Sequence, residues 1–130
     1  MDDRAQYPAP DDRAATILVC DDDPSLRELV RAVLGPRYRF LEAADGLEAL
    51  ALAREERPEL IVLDVMLPGI SGIEVLEKLR TDEELKETRV VVITAWSHAE
   101  IDAQVAGADR FVSKPFDPDE LSTAVQELLA

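Results

Sequence analysis

The chain has 130 residues, 47% of them apolar, and a formal net charge of −14. This size predicts a single domain, and such an excess of acidic residues argues against direct binding to nucleic acid, which depends on clustered Lys and Arg. No apolar run approaches the roughly 18 residues needed to span a bilayer, and the acidic first residues are unlike a signal sequence, so we expect a cytoplasmic protein without a membrane segment.

Two regions differ in pattern. Residues 1–14 are rich in Asp, Arg, Pro and Ala without an apolar period, which predicts a disordered leader or an expression remnant. In residues 15–130, short apolar runs alternate with segments of helical period from Thr16 onward. This alternation predicts one domain of the α/β class, with a doubly wound parallel sheet of five strands.

The first strand, over residues 17–20, leads into the first predicted helix. Asp23 is the expected cap, Pro24 lies in the first turn, and Gly35 ends the helix. Five apolar residues share one face of this helix and are expected in the core: Leu26, Leu29, Val30, Val33 and Leu34.

A weaker second strand is predicted over residues 38–43. Asp45, followed three residues later by Glu48, predicts the start of a second helix that runs toward Pro58. After the third strand, a loop rich in Pro and Gly precedes a third helix. The expected core face of that helix consists of Ile73, Leu76 and Leu79.

Two helices are predicted in the last third of the chain. Residues 97–100 resemble a capping box that opens a helix ending at Gly107, and its few bulky apolar residues predict weak anchoring. Asp117 is the expected cap of the last helix. The apolar residues at core spacing in that helix are Leu121, Ala124, Val125, Leu128 and Leu129.

Four apolar runs end directly at polar or charged side chains. In chain order these are Asp21 with Asp22, Asp64, Thr94 and Lys114. Because the ligand crevice of an open parallel sheet lies at the carboxyl ends of its strands, we expect these side chains to meet in one site. Three carboxylates, a hydroxyl and an ammonium group suit a divalent cation and a phosphoryl group. Mg2+ fits the carboxylates best, and Asp64 is the candidate nucleophile toward phosphorus.

The segments that carry these residues resemble the receiver domain of response regulators in bacterial two-component signalling. The matching segments, in order, are residues 18–22, 63–72, 93–95 and 107–116. The resemblance implies a flavodoxin-like three-layer sandwich with the strand order 2-1-3-4-5. It also implies that Asp64 is the phosphorylated residue.

The resemblance further implies a role for each of the other side chains. The implied metal ligands, for Mg2+ or alternatively Mn2+, are Asp21, Asp22, Asp64 and the backbone carbonyl of Met66. The implied phosphate-binding and switch positions are Thr94, Ala95, Phe111 and Lys114, with a cis peptide bond between Lys114 and Pro115.

The function implied by the resemblance is a phosphorylation-dependent switch. A sensor histidine kinase or a histidine phosphotransfer protein would supply the phosphoryl group, and the chain would catalyse only its own phosphorylation and dephosphorylation. The surface formed by the helix over residues 97–107, the last strand and the last helix would change and contact a downstream effector protein or an effector domain outside this chain. We expect a monomer or a weak dimer through the same surface.

One residue near the site suggests control of the phosphorylated lifetime. Trp96 follows Thr94 by two residues, and we expect its indole, together with the side chain of Met66, to shield an acyl phosphate from water.

Two alternative functions remain at this stage. The first is a pseudo-receiver, a binding module of the same fold that signals without phosphate. The second is an aspartyl phosphatase of the haloacid-dehalogenase type with Asp21 as nucleophile, which leaves Asp64 and the segment after it unexplained.

Overall fold

The computed structural model describes residues 14–95, 102 and 106–130. Trp96, nearly all of the predicted leader and most of the predicted helix over 97–107 lie outside these residues. The described part forms one parallel sheet of five strands in the order β2-β1-β3-β4-β5. The strands are β1 (Thr16–Cys20), β2 (Arg39–Ala43), β3 (Leu60–Asp64), β4 (Arg89–Thr94) and β5 (Arg110–Ser113). The predicted fold class and strand order are therefore confirmed.

Four helices in the described residues flank the sheet. They are α1 (Pro24–Leu34), α2 (Gly46–Glu56), α3 (Gly72–Thr81) and α4 (Pro118–Leu129). Each begins after a residue whose side-chain oxygen accepts a hydrogen bond from a first-turn N–H, which satisfies a donor that the helix leaves unpaired. These caps are Asp23, Asp45, Ser71 and Asp117. Within the described residues, no helix is long and apolar enough to cross a membrane.

The core consists of one apolar layer on each face of the sheet. Successive strand residues point to opposite faces, so Leu18 packs toward α2 and α3, whereas Ile17 and Val19 pack toward α1 and α4. All five residues of β3 are buried, because this strand has a neighbour on each side and helices over both faces. Asp64 at its end is thus carried by the most enclosed strand.

The predicted core faces of the helices need one correction. Leu29 is 48% exposed, whereas Val30 and Leu34 are the buried residues of α1. Successive helical residues are separated by about 100°, so a face centred near Val30 leaves Leu29 at its margin. Val75 of α3 and Leu85 in the following turn are buried although the sequence pattern did not select them.

The register of the sheet brings the predicted strand ends to one edge. Cys20 of β1 pairs with Leu63 of β3, so the residues that follow them, Asp21 and Asp64, lie on adjacent strands. On the other side of β3, Asp64 pairs with Ile93 of β4. Because all strands are parallel, the remaining polar strand ends reach the same edge.

Candidate functional site

Three carboxylates gather at the carboxyl edge of the sheet. Asp21, Asp22 and Asp64 each place an oxygen within 4.8 Å of the others. Asp21 and Asp64 are buried, each 4% exposed, whereas Asp22 is open to solvent. Carboxylate oxygens with access to water on one side fit a Mg2+ ion, which takes few protein ligands and keeps several waters.

The ammonium group of Lys114 contacts two of these carboxylates. Its Nζ lies 2.8 Å from Oδ2 of Asp64 and 3.2 Å from Oδ2 of Asp21. The backbone N–H of Lys114 donates to the carbonyl of Thr94 at 2.9 Å, and the peptide bond to Pro115 is cis. The lysine is thus held by its backbone at the end of β4 and by its side chain at the ends of β1 and β3.

The burial and charge of this cluster shift two pKa values. Burial raises the pKa of the Asp21 carboxyl above its ordinary value of 3.8, and Asp64 adds to the effect, although the N–H of Asp23 and the charge of Lys114 oppose it. Burial alone would lower the pKa of Lys114, but the hydrogen bond and charge of Asp64, together with Asp21, outweigh burial and leave the pKa raised. Lys114 therefore stays cationic at neutral pH.

The carboxylate of Asp64 has a fixed orientation. Oδ1 accepts a hydrogen bond from the backbone N–H of Met66 at 2.9 Å, while Oδ2 accepts from Lys114. The start of α3 approaches the end of β3 so closely that a Cβ at Gly72 would clash with the carbonyl oxygen of Asp64. Only glycine allows this approach.

The other predicted site residues have different environments. Thr94 ends β4 and is buried, and it pairs with Ser113, the residue before Lys114. Ala95 is exposed, and Phe111 is half-buried against the apolar layer on the α2 and α3 face. The side chain of Met66 is 49% exposed.

One residue at the site was missed by the sequence reasoning. Arg27 of α1 donates from its guanidinium group to the backbone carbonyl of Asp21 at 2.7 Å. Its position next to Val30 and Leu34 on the inward side of α1 was the available signal, because a charged side chain there needs a buried partner.

Comparisons with known proteins agree with this geometry. A family model described as the response regulator receiver domain matches residues 17–126. The chain is 43% identical over 117 residues to the DNA-binding response regulator MtrA of Mycolicibacterium smegmatis, which covers 87% of this chain and 50% of that protein. It is 36% identical over 116 residues to sporulation initiation phosphotransferase F of Bacillus subtilis, covering 87% and 92% respectively.

A solved structure shares the fold as well. The chemotaxis response regulator CheY4 of Vibrio cholerae superposes with a TM-score of 0.81 at 32% identity, covering 88% of this chain and 98% of that one. The chain spans about half the length of several curated relatives that it matches, MtrA among them. The match over residues 17–126, supported by these relatives, shows that the chain belongs to the response regulator receiver domain family.

Proposed function

We propose that the chain is a phosphorylation-dependent signalling switch in which Asp64 accepts a phosphoryl group in the presence of Mg2+. The observation that supports this most is the arrangement around Asp64. Its carboxylate is buried, is oriented by Met66 and Lys114, and lies within 4.8 Å of the oxygens of two further carboxylates. A nucleophile, a cationic phosphate ligand and a set of metal ligands thus occur together.

Four groups of the chain are the proposed ligands of the Mg2+ ion. Asp21, Asp22 and Asp64, with the backbone carbonyl of Met66, would hold the ion. When bound, Mg2+ supplies positive charge that lets an anionic carboxylate approach an anionic phosphoryl group.

The transfer itself forms one bond and breaks one. An oxygen of Asp64 attacks phosphorus, the P–N bond of the donor phosphohistidine breaks, and its electron pair stays on the imidazole nitrogen. Lys114 then binds a phosphoryl oxygen in place of the free carboxylate, and the hydroxyl of Thr94 donates to another oxygen.

The proposed contacts of Thr94 and Lys114 with the phosphoryl group connect the site to the proposed output surface. Thr94 and Lys114 stand at the ends of β4 and β5, so binding a phosphoryl group favours one arrangement of the segments that follow these strands. The surface formed by β5, α4 and residues 97–107 is the proposed output surface, and a weak dimer would use it too.

We infer the partners from the family and from the named relatives. A sensor histidine kinase or a histidine phosphotransfer protein supplies the phosphoryl group, in the cytoplasm. MtrA is a DNA-binding regulator, whereas phosphotransferase F matches this chain over nearly its whole length. The effector is therefore either a domain outside residues 15–130 or a separate protein, and with a net charge of −14 the chain itself does not bind nucleic acid.

The direct test is phosphorylation from a small phosphodonor. We expect the wild-type chain to gain one phosphoryl group from acetyl phosphate when Mg2+ is present and none when it is chelated. Intact mass spectrometry measures the gain, and borohydride reduction of the acyl phosphate followed by peptide mapping locates it at Asp64. The proposal would be contradicted, and the pseudo-receiver favoured, if the chain gained no mass and if the fluorescence of Trp96 did not change on addition of Mg2+ or beryllofluoride.

A second test concerns the lifetime of the phosphorylated form, which we propose depends on Trp96. Trp96 lies outside the described part of the chain, whereas Met66, whose backbone N–H donates to Asp64, has an exposed side chain. Trp96→Ser should speed dephosphorylation severalfold, because water reaches the acyl phosphate more easily. The decay of phosphorylated mass after removal of the donor measures the rate, and a rate equal to that of wild type would rule out shielding.

A further inference from the structure

Arg27, which lies one turn into α1, forms a hydrogen bond with the turn that connects β1 to α1. Its Nη1 donates to the carbonyl of Asp21 at 2.7 Å, and its Nε donates to Oε1 of Glu42 on β2 at 2.9 Å. The Arg27 side chain is only 16% exposed. One planar guanidinium group therefore joins α1, the end of β1 and β2.

Every polar group of Asp21 has a partner. Its N–H donates to the carbonyl of Ala43 at 3.1 Å, and its carbonyl accepts from Arg27. Of its carboxylate oxygens, Oδ1 accepts from the N–H of Asp23 at 2.9 Å and Oδ2 accepts from Lys114. Among these contacts, the one from Arg27 is the only one made by a side chain outside the proposed metal and phosphate ligands.

The charge of Arg27 is partly offset by Glu42. This carboxylate lies 2.9 Å from Arg27 and also 3.2 Å from Arg31, one helical turn further along α1. The contact by which Arg27 reaches Asp21 is the hydrogen bond to its backbone carbonyl. Like charges as close as the three carboxylates of the site repel each other, so each contact that restrains the turn opposes a separation of the carboxylates, and the hydrogen bond from Arg27 is one of these contacts.

We propose that Arg27, oriented by Glu42, is a positioning residue that holds the turn at Asp21 and Asp22 in the conformation required to bind Mg2+ tightly. The proposal rests on the proposed function, because it assumes that these carboxylates hold the ion. The physical basis is preorganisation: when the ligands are already held together, binding does not have to supply the energy that gathers them.

Two substitutions at Arg27 and one matched control test this. Arg27→Gln removes both hydrogen bonds and the charge. Arg27→Lys keeps the charge, but its single ammonium group cannot reproduce the planar set of donors that bonds Asp21 and Glu42 at the same time. Arg31→Gln removes the same charge from the same helix and the other contact of Glu42, without touching Asp21.

The measurement is Mg2+ affinity by isothermal titration calorimetry of the full chain, with circular dichroism as the check of folding. We expect both Arg27 variants to bind Mg2+ about 10-fold more weakly than wild type, the size typical for groups that orient metal ligands. Arg31→Gln should stay within about twofold. The direction of the change in Mg2+ affinity is informative for Arg27→Gln. Loss of a nearby positive charge alone would strengthen Mg2+ binding, whereas loss of the positioning contact weakens it.

A second readout separates positioning from a loss of the fold. If Arg27 sets only the affinity, its variants should need more Mg2+ for half-maximal phosphorylation and reach the wild-type rate at saturating Mg2+. Should Arg27→Gln fail to fold, Arg27→Lys alone decides the question.

The outcomes distinguish the two proposals. If wild type and both Arg27 variants bind Mg2+ equally, or if Arg31→Gln weakens binding as much as they do, the positioning role is wrong and the proposed function stands. If wild type binds no Mg2+, the metal-dependent function and the positioning role fail together.

Discussion

An Asp64→Asn variant should acquire no phosphoryl group from acetyl phosphate and Mg2+ under conditions in which the wild-type chain acquires one. A carboxamide is a poor nucleophile toward phosphorus, and its oxygen carries no formal charge for the ion or for Lys114 to stabilise. The fold should persist, because the amide still offers an acceptor oxygen and Lys114 keeps Asp21 at 3.2 Å. Intact mass spectrometry measures the occupancy, and circular dichroism confirms that the variant is folded.

The matched control for this variant is Asp21→Asn, a change of the same size and charge at the neighbouring strand end. It should weaken Mg2+ binding and slow phosphorylation, while the phosphoryl group still appears on Asp64. The opposite pattern would contradict our assignment. If Asp64→Asn still acquired the phosphoryl group and Asp21→Asn did not, Asp21 would be the nucleophile, as in an aspartyl phosphatase of the haloacid-dehalogenase type.

The strand ends were predictable because of a simple property of parallel sheets. An apolar run without polar alternation marks a strand that is buried on both faces, and the first polar residue after it marks the carboxyl edge. The pattern predicted Lys114 near Asp21 and Asp64, and the distances of 3.2 and 2.8 Å agree with this expectation. The pattern was not enough to order the strands, because order depends on which distant segments pair, and only the family resemblance implied it.

Two features of the structure could not be predicted from the sequence pattern. Apolar period alone treats Leu29 and Val30 alike, although a rotation of about 100° separates them and decides which one enters the core. The role of Arg27 was hidden because an arginine in an amphipathic helix usually faces solvent. Its partners, the carbonyl of Asp21 and the carboxylate of Glu42, become neighbours only when β1, β2 and α1 are assembled.

The largest effect on stability is expected for Lys114→Met, which removes the cation shared by two buried carboxylates. Methionine has a similar length, so the change removes charge without opening a large cavity. We expect the free energy of unfolding at neutral pH, without Mg2+, to fall by about 3 kcal/mol, because breaking a buried ion pair leaves an uncompensated charge. Urea denaturation measures it. Lys86→Met is the control: its ion pair with Glu83 is exposed, and its loss should cost no more than about 0.5 kcal/mol.

The dependence of this loss on pH identifies its cause. In wild type the folded state raises the pKa of Lys114 above its ordinary value of 10.5, so the ion pair stabilises the fold below that pH and is lost as the pH rises through the folded value. The pKa of Asp21 is also raised, and removal of the cation raises it further. As the pH falls toward 3.8, the folded variant binds a proton at Asp21 before the unfolded chain does, and its stability approaches that of wild type. Two results would mean that Lys114 does not compensate the buried carboxylates. One is a loss of stability in Lys114→Met that stays constant from neutral pH down to about pH 3.8, and the other is a loss no larger than that of Lys86→Met.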